Sequence, residues 1–380
     1  MKKKIKVAII SFPLNTFGGG FDIFKNWLAT LDKDAFEVHF ITSTYRWDEM
    51  KKKLKDISGI HAVNINELSS YKCLYIPGIL KLRYYLRSNK IDIVHTSMIQ
   101  ADIIGGVAAK IAGVPVLVST VIGYLINTTR GLKGKIKTAV YKILYGVVIN
   151  WFDRIMTISK ATSEEIIRDF GANQKKVEIN YCGIELPSEL KWRRTFSKSE
   201  TLKVGVIGEL IHNKGMSVFI EAIPNIISKH SKVSFIVAGD GPEKQNLEKR
   251  VLDLGIEKKV NFLGWVNNPR EIIANMDIFV FPSFPSYDGL PRVILEAWAM
   301  GTPVVVTRVA CVPELFDGKD KGITIEPGNP MGIAKAVNNL IEDYDKAEQM
   351  AKIAFNEIRD FDIQREVKQI EQTYTQLICK

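Results

Sequence analysis

Two carboxylates eight residues apart give the most informative spacing in this sequence. Asp288 lies in the turn-rich stretch Pro282–Pro291, and Glu296 lies two turns into the helix predicted to follow it. The start of a helix offers backbone N–H groups that favour a phosphate. Carboxylates on the same side could accept hydrogen bonds from sugar hydroxyls. This combination predicts a site for a ligand that carries both phosphate and sugar.

Two glycine-rich loops are placed to approach phosphate as well. Gly18–Gly20 follows the first predicted strand, and Gly208–Gly215 follows the first strand of the second half and carries Lys214. Glycine lets a backbone come close to a phosphate, and a lysine could neutralise a diphosphate. Neither loop has the G-x-G-x-x-G spacing of nicotinamide-binding proteins. A third glycine-rich segment, Gly239–Pro242, is interpreted as a structural turn.

Short strands rich in valine and isoleucine alternate with helical patterns along the whole chain, which predicts α/β architecture with doubly wound parallel sheets. In the first half the predicted strands are Ile5–Ser11, Val38–Thr42, Ile91–Thr96, Val114–Thr120 and Arg154–Ser159. In the second half they are Leu202–Ile207, Val233–Ala238, Val260–Phe262, Ile278–Phe281, Pro303–Val306 and Gly322–Ile325.

A chain of 380 residues suits two domains. A polar stretch from Leu186 to Ser199 separates the two series of strands. We therefore predict one Rossmann-like domain over residues 1–187 and a second over 188–360, followed by a helix over 361–380. Two such domains facing across a cleft would bind ligands at the carboxyl ends of their strands.

The net charge of +10 arises entirely from residues 1–190, which hold 27 Lys+Arg and 17 Asp+Glu. Arg130–Lys137, followed by Ala139–Tyr141, resembles the start of a basic amphipathic helix. Such a helix could lie on an anionic membrane, although a solvated lysine-rich face fits equally well. No basic and aromatic cluster indicates nucleic-acid binding.

The cysteines and the first ten residues indicate the cellular compartment of the protein. Four scattered cysteines form no C-x-x-C pair, which is typical of a reduced, cytoplasmic protein. The apolar run in Met1–Ile10 is too short for a signal peptide, and no apolar stretch reaches the ~20 residues of a membrane span. We expect a cytoplasmic protein, with peripheral attachment to the inner face of the cell membrane as a further hypothesis.

Several motifs, in their order along the chain, resemble those of the retaining glycosyltransferases of family 4, which have the GT-B fold. The resemblance covers nearly the whole chain, through Gly18–Gly20, Lys214-Gly215, Gly239–Pro242, Phe262–Val266 and the segment Pro282–Val306. It implies a UDP- or GDP-linked sugar donor, a saccharide or lipid-linked saccharide acceptor, and no cofactor. No Asp-x-Asp run follows a strand, so we expect no catalytic metal.

The resemblance also implies roles for individual residues. Glu296 should bind the donor ribose, Asp288 the hydroxyls of the donor sugar, and Lys214 the diphosphate. Further donor contacts are expected at Val266 and Asn267 near the base, at Gly289, Leu290 and Arg292 near the phosphates, and at Gly19 and Gly20 near the phosphate or the acceptor. Glu209 is also placed among the donor-binding positions, and Asp288 and Lys214 are candidate catalytic residues.

Three positions depart from the family pattern. The first acidic position is Asp288 rather than glutamate, and Glu209 stands where many members have a phosphate-binding arginine. Ile122 stands where many members have a histidine beside the transferred sugar. His95 is the nearby histidine and a candidate catalytic residue, with a structural strand-end role as the alternative.

No side chain stands out as a nucleophile, which agrees with front-face transfer. The resemblance implies transfer of a hexosyl or N-acetylhexosaminyl group, and we hypothesise a role in surface polysaccharide synthesis. In that mechanism the leaving diphosphate accepts the proton of the acceptor, and the protein supplies positioning and charge. Two alternatives remain open: a nucleotide-sugar epimerase of the same fold, and a non-catalytic nucleotide-sugar-binding protein.

Overall fold

The chain forms two compact units, each built on its own parallel sheet. A computed structural model describes residues 3–12, 19–69, 75–123, 132–187, 192, 201–285, 289–309 and 311–379. Among these, residues up to Glu185 form the first unit together with 289–290 and 363–379, and residues 186–285 and 291–362 form the second. Both sheets are parallel throughout, so the predicted α/β class with two doubly wound sheets is confirmed.

The first unit contains a seven-stranded sheet in the order β3-β2-β1-β4-β5-β6-β7. Its strands are β1 (Ile5–Ser11), β2 (Phe36–Thr42), β3 (Ile60–Asn64), β4 (Ile93–Ser97), β5 (Val116–Val121), β6 (Arg154–Thr157) and β7 (Val177–Ile179). All five predicted strands are present. The two edge strands, β3 and β7, were not predicted, because they are short and half-buried and lack a long apolar run.

Six helices accompany this sheet within the described residues of the first half: α1 (Gly19–Thr30), α2 (Trp47–Leu54), α3 (Ile76–Ser88), α4 (Ile99–Ala112), α5 (Leu132–Ile149) and α6 (Lys160–Phe170). Helix α4 packs between α3 and α5. A Cβ atom at Gly105 would lie 2.7 Å from Thr96 Cγ2 of β4, so the absence of a side chain lets α4 approach the sheet closely.

The second unit contains a six-stranded sheet in the order β10-β9-β8-β11-β12-β13. Its strands are β8 (Leu202–Ile207), β9 (Val233–Ala238), β10 (Val260–Gly264), β11 (Ile278–Phe281), β12 (Val304–Thr307) and β13 (Ile323–Ile325). Its helices are α7 (Met216–Ile227), α8 (Lys244–Asp253), α9 (Pro269–Ala274), α10 (Arg292–Ala299), α11 (Val312–Phe316), α12 (Pro330–Glu342) and α13 (Tyr344–Glu357). All six predicted strands are present.

The last helix, α14 (Ile363–Ile378), packs against α1 in the first unit. Its buried Glu366 accepts a hydrogen bond from Trp27 Nε1 at 2.7 Å and another from the backbone N–H of Gly183 at 2.7 Å. A buried carboxylate needs such partners, because an unpaired one would be costly. None of the helices in the described ranges is long and apolar enough to cross a bilayer.

A buried carboxylate also joins the central elements of the first unit. Asp102, in the first turn of α4, accepts hydrogen bonds from three buried hydroxyls: Thr96 Oγ1 at 2.5 Å, Ser119 Oγ at 2.9 Å and Tyr145 OH at 2.8 Å. These come from β4, β5 and α5. Burial raises the pKa of Asp102 to about 6, and the hydroxyl donors only partly oppose this rise.

The raised pKa of Asp102 predicts a pH-dependent stability. Because the folded state holds this proton more tightly than the unfolded chain does, the stabilisation is full below about pH 4. It is lost as pH rises through about 6. Asp102→Asn stays neutral, so the free-energy difference between wild type and variant should change by about 2 kcal/mol between pH 4 and 7.

Urea unfolding at several pH values measures this change, with the surface variant Asp253→Asn as control. Parallel pH profiles for wild type and Asp102→Asn would contradict the proposed protonation of Asp102.

Candidate functional site

The strand order of the second sheet defines where its chain connections change direction. From β8 the chain moves outward through β9 to β10, then returns to β11 on the other side of β8. In open parallel sheets, ligands bind beyond the carboxyl ends of strands at such a switch point. The loops that flank this point follow β8 and β11, and they are the two segments whose sequences predicted a phosphate and sugar site.

Backbone hydrogen bonds join the loops at this edge of the sheet into one series. The bonds run from Gly239 N to Gly264 O (2.7 Å), from Gly208 N to Ala238 O (3.1 Å), from Leu210 N to Asp240 O (2.9 Å) and from Phe284 N to Asn213 O (2.9 Å). They connect the loops after β10, β9, β8 and β11. The loop positions are therefore fixed by main-chain contacts rather than by side chains alone.

Two glycines permit these close contacts. Gly215 has φ +68°, and a Cβ atom there would lie 2.0 Å from Pro282 O. Gly239 has φ +134°, and its Cβ would lie 1.9 Å from Gly208 O. Any side chain at either position would force the loops apart, because real Cβ atoms do not approach backbone oxygens so closely. This supports the interpretation of Gly239–Pro242 as a structural turn.

The loop after β8 carries Lys214 at the end of a 3₁₀ turn, His212–Lys214. Lys214 is half-buried and directly precedes Gly215, so its backbone is held beside the loop after β11. The exposed ring of His212 stacks on Phe284 with ring centroids 5.3 Å apart. His212 was not among the predicted site residues, although it lies inside the Gly208–Gly215 motif.

Helix α10 begins after the second of these loops and presents a polar face. Arg292 and Glu296 are half-buried and four residues apart, which places them on one side of the helix. The opposite side contributes Ile294, Leu295 and Trp298 to the core. Pro291 precedes the helix and supplies no side-chain cap to its first turn. The start of α10 therefore combines a guanidinium, a carboxylate and the positive end of a helix dipole.

Three further predicted donor-site residues lie at the same edge of the second sheet. Val266 is half-buried and Asn267 exposed just beyond β10, and Glu209 is exposed in the loop after β8. Asp288, the first carboxylate of the pair, lies outside the described residues. Gly289 and Leu290 are buried and belong to the first unit.

In the first unit, Gly289 lies against the end of β5. A Cβ atom on Gly289 would be 2.9 Å from Ile122 O and 3.0 Å from Gly123 Cα. The predicted residues Gly19 and Gly20 are the first residues of α1, the helix that follows β1 in the sequence. Gly20 is exposed, and a Cβ atom there would meet nothing within 4 Å.

His95 does not have the surroundings expected of a catalytic residue. Its ring is fully buried, stacks on Trp27 and hydrogen-bonds with Tyr374 OH (2.5 Å) and Thr120 Oγ1 (2.7 Å). Burial lowers the pKa of His95 to about 3, so the ring is neutral at physiological pH. Both nitrogens are occupied and neither is accessible to substrate. The structure thus corrects the catalytic prediction for His95 in favour of the structural alternative.

Comparison with known proteins agrees with these features. Residues 17–187 match the family described as Glycosyltransferase Family 4, and residues 201–343 match Glycosyl transferases group 1. The chain is 27% identical over 315 residues to the UDP-Gal:alpha-D-GlcNAc-diphosphoundecaprenol alpha-1,3-galactosyltransferase of Escherichia coli, covering 80% of each chain. It is 24% identical over 348 residues to the capsular polysaccharide biosynthesis glycosyltransferase CapM of Staphylococcus aureus, covering 87% of each.

A solved structure shares the fold over the whole chain. The Anabaena protein Alr3699/HepE, crystallised with UDP, aligns with a TM-score of 0.80 and 20% identity, covering 98% of this chain and 100% of the other. At this identity the likeness shows the GT-B fold alone.

Replacing Gly215 by alanine tests whether the two loops depend on close backbone contact. Gly255 is a matched control, because its φ of +66° is nearly the same as that of Gly215 while a Cβ there would meet nothing within 4 Å. Gly255→Ala should cost about 1–2 kcal/mol of backbone strain. Gly215→Ala should cost about 1–3 kcal/mol more, because the loop must also move away from Pro282.

Denaturant unfolding of the two variants measures the difference. Equal losses of stability would show that the contact between Gly215 and Pro282 places no constraint on the loops.

Proposed function

We propose a specific reaction for this chain, which belongs to the group 1 glycosyltransferases of family 4. It transfers a sugar from a UDP-linked donor with retention of anomeric configuration. We further propose a lipid-linked saccharide as the acceptor. The observation that carries the donor site is the meeting of the Lys214 loop and the loop after β11 at the switch point of the second sheet. The polar face of α10 begins beside them.

The donor would be held mainly by charges of the second unit. Glu296 can accept hydrogen bonds from both ribose hydroxyls, and Lys214 can pair with the diphosphate. Arg292 and the start of α10 add positive charge. Glu209 stands where a phosphate-binding arginine would otherwise be expected, so these groups carry the whole phosphate contact. Asp288 would bind hydroxyls of the transferred sugar.

The proposed chemistry is front-face transfer. The glycosidic bond of the donor breaks, the leaving phosphate oxygen takes the proton of the acceptor hydroxyl, and that hydroxyl oxygen bonds to the same face of the sugar. Negative charge grows on the diphosphate, so Lys214 and the start of α10 act by stabilising it. These cationic groups supply the charge that a divalent metal provides elsewhere, and we expect no metal requirement.

The name of one relative favours UDP over GDP as the nucleotide of the donor. The name of the E. coli relative specifies a UDP-galactose donor. The same relative acts, by its name, on a sugar joined to diphosphoundecaprenol. That acceptor class, with a polar head on a long lipid, would require the protein to work at a membrane surface.

An apolar surface on the first unit supports this membrane hypothesis. Val140, Ile143 and Val147 are 60%, 69% and 52% exposed at helical spacing along α5. Three further large apolar side chains are exposed along α3: Ile76 (66%), Leu80 (51%) and Tyr84 (74%). Helices α3, α4 and α5 contribute to one core cluster, so they cover the same face of the sheet.

Exposed apolar patches of this kind mark interaction surfaces. All of the excess positive charge lies in residues 1–190, and the exposed Lys110 and Arg87 belong to α4 and α3. Apolar side chains among basic residues match an anionic lipid surface. We therefore propose that this helical layer docks the protein on the inner face of the membrane.

Calorimetric titration with UDP and GDP in the absence of metal tests the donor site. Wild type should bind UDP more tightly than GDP, and Glu296→Ala should weaken UDP binding at least about tenfold, because a hydrogen bond to a charged group is lost. Glu248→Ala is the control, since Glu248 is a half-buried glutamate of α8 in the same unit. Unchanged UDP affinity in Glu296→Ala would contradict the ribose site, and preference for GDP would contradict the UDP assignment.

Incubation of the enzyme with UDP-sugar and a polyprenyl-diphosphate saccharide, followed by NMR of the product, tests the reaction. Transfer with the donor's anomeric configuration is expected. Conversion of the donor without an acceptor would indicate an epimerase, and binding without turnover would indicate a non-catalytic protein. An inverted product would contradict front-face transfer.

Vesicle flotation at low salt tests the membrane surface. Ile143→Glu should reduce binding to anionic vesicles at least about fivefold, because a charge on the apolar stripe opposes insertion. Leu252→Glu is matched in exposure, since Leu252 is 63% exposed on α8 of the second unit, and it should have no effect. A wild-type protein that ignores anionic vesicles would contradict the proposal.

A further inference from the structure

Three side chains able to bind a metal lie together on one face of the first sheet, near its edge. His39 of β2 is directly opposite His61 of β3 in the parallel ladder. Glu37 precedes His39 by two residues, so both side chains project to the same face of β2. The cluster lies between the amino-terminal ends and the middle of these strands, whereas the candidate residues for sugar transfer follow the carboxyl ends of strands.

The three potential ligand atoms are already close to one another. Glu37 Oε1 is 3.1 Å from His39 Nε2 and 3.9 Å from His61 Nε2, and all three atoms lie within 4.8 Å of each other. Metal–ligand distances of about 2.0–2.1 Å in a tetrahedral site require ligand separations of roughly 3.3 Å. The His61 side chain is 59% exposed, so rotation of its ring can close the remaining gap.

His39 is oriented by a contact typical of metal-binding histidines. Its side chain is buried, and Nδ1 is 2.8 Å from the hydroxyl of Tyr85 on α3. When the Nδ1–H group donates a hydrogen bond to that hydroxyl oxygen, Nε2 keeps a lone pair directed at Glu37 and the space beside His61. Outer hydrogen bonds of this kind fix the tautomer and the ring orientation of a ligand.

We infer that Glu37, His39 and His61 bind one divalent transition-metal ion of the zinc class. Two imidazoles and a carboxylate suit zinc better than magnesium or calcium, which prefer oxygen ligands. A solvent molecule would complete the coordination on the exposed side. The ion would tie the edge strand β3 to β2, and the assignment is independent of the proposed sugar transfer.

One cation already competes for the carboxylate. Lys6 Nζ of β1 lies 3.0 Å from Glu37 Oε1, and the Lys6 side chain is 27% exposed. The ammonium group and a metal ion compete for the same carboxylate, and their like charges repel, so Lys6 weakens metal binding. Lys6→Met should therefore increase zinc affinity, whereas loss of a ligand should decrease it.

Zinc titration of chelator-treated protein tests the assignment, in a Cys379→Ser background that removes an exposed thiol. The parent should bind one zinc ion, and His61→Ala should weaken this binding at least about tenfold. Lys6→Met should strengthen it. His230→Ala is the matched control, because His230 has a glutamate, Glu342, at 3.8 Å but belongs to no group of three potential ligands among the described residues.

Thermal unfolding provides a second measurement, since an ion that binds only the folded chain raises its midpoint. Zinc should raise the midpoint of the parent and of His230→Ala but not that of His61→Ala. Equal zinc uptake by the parent and His61→Ala would overturn the site and leave an ion-pair network of Lys6, Glu37 and His39. Equal zinc affinity of the parent and Lys6→Met would place the ion away from Glu37 and would also overturn the proposed site.

Discussion

The close backbone contact between the loops after β8 and β11 is the constraint on which the candidate site depends. Gly215 can approach Pro282 O only because it lacks a side chain and adopts a left-handed conformation. That approach, with the hydrogen bond from Phe284 to Asn213, sets where Lys214 lies relative to the loop that leads into α10. Charge groups on separate loops can act on one phosphate only if the loops are held in this way.

Main-chain bonds join the loops of the second unit at the edge of its sheet, where Arg292 and Glu296 are half-buried on α10. Both units also bury polar side chains, such as Thr302 and Thr307 in the second and Asp102 and His95 in the first. Asp102 and His95 have each satisfied their hydrogen bonds with neighbouring hydroxyls, so they contribute to packing rather than to chemistry.

Most of the fold could be predicted from the sequence because buried parallel strands are continuous apolar runs. The edge strands β3 and β7 could not, since half-buried strands carry mixed residues such as those of Ile60–Asn64. Those parts of the candidate site could be predicted in which glycines and charged residues directly follow a strand, as at Gly208–Gly215. Local sequence could not reveal that His95 would be enclosed by Trp27 and Tyr374, because Tyr374 is 279 positions away. The pairing of His39 with His61 likewise depends on the register of an unpredicted strand.

Hydrogen–deuterium exchange with and without UDP tests the placement of the donor site, because it reports where the nucleotide binds without altering any residue. We predict slower exchange on UDP binding in peptides that cover residues 208–215, 264–268 and 289–296. These segments contain the loops beyond β8 and β10 and the start of α10. Protection confined to the first unit, or absent from all three segments when UDP is bound, would contradict the placement of the donor site.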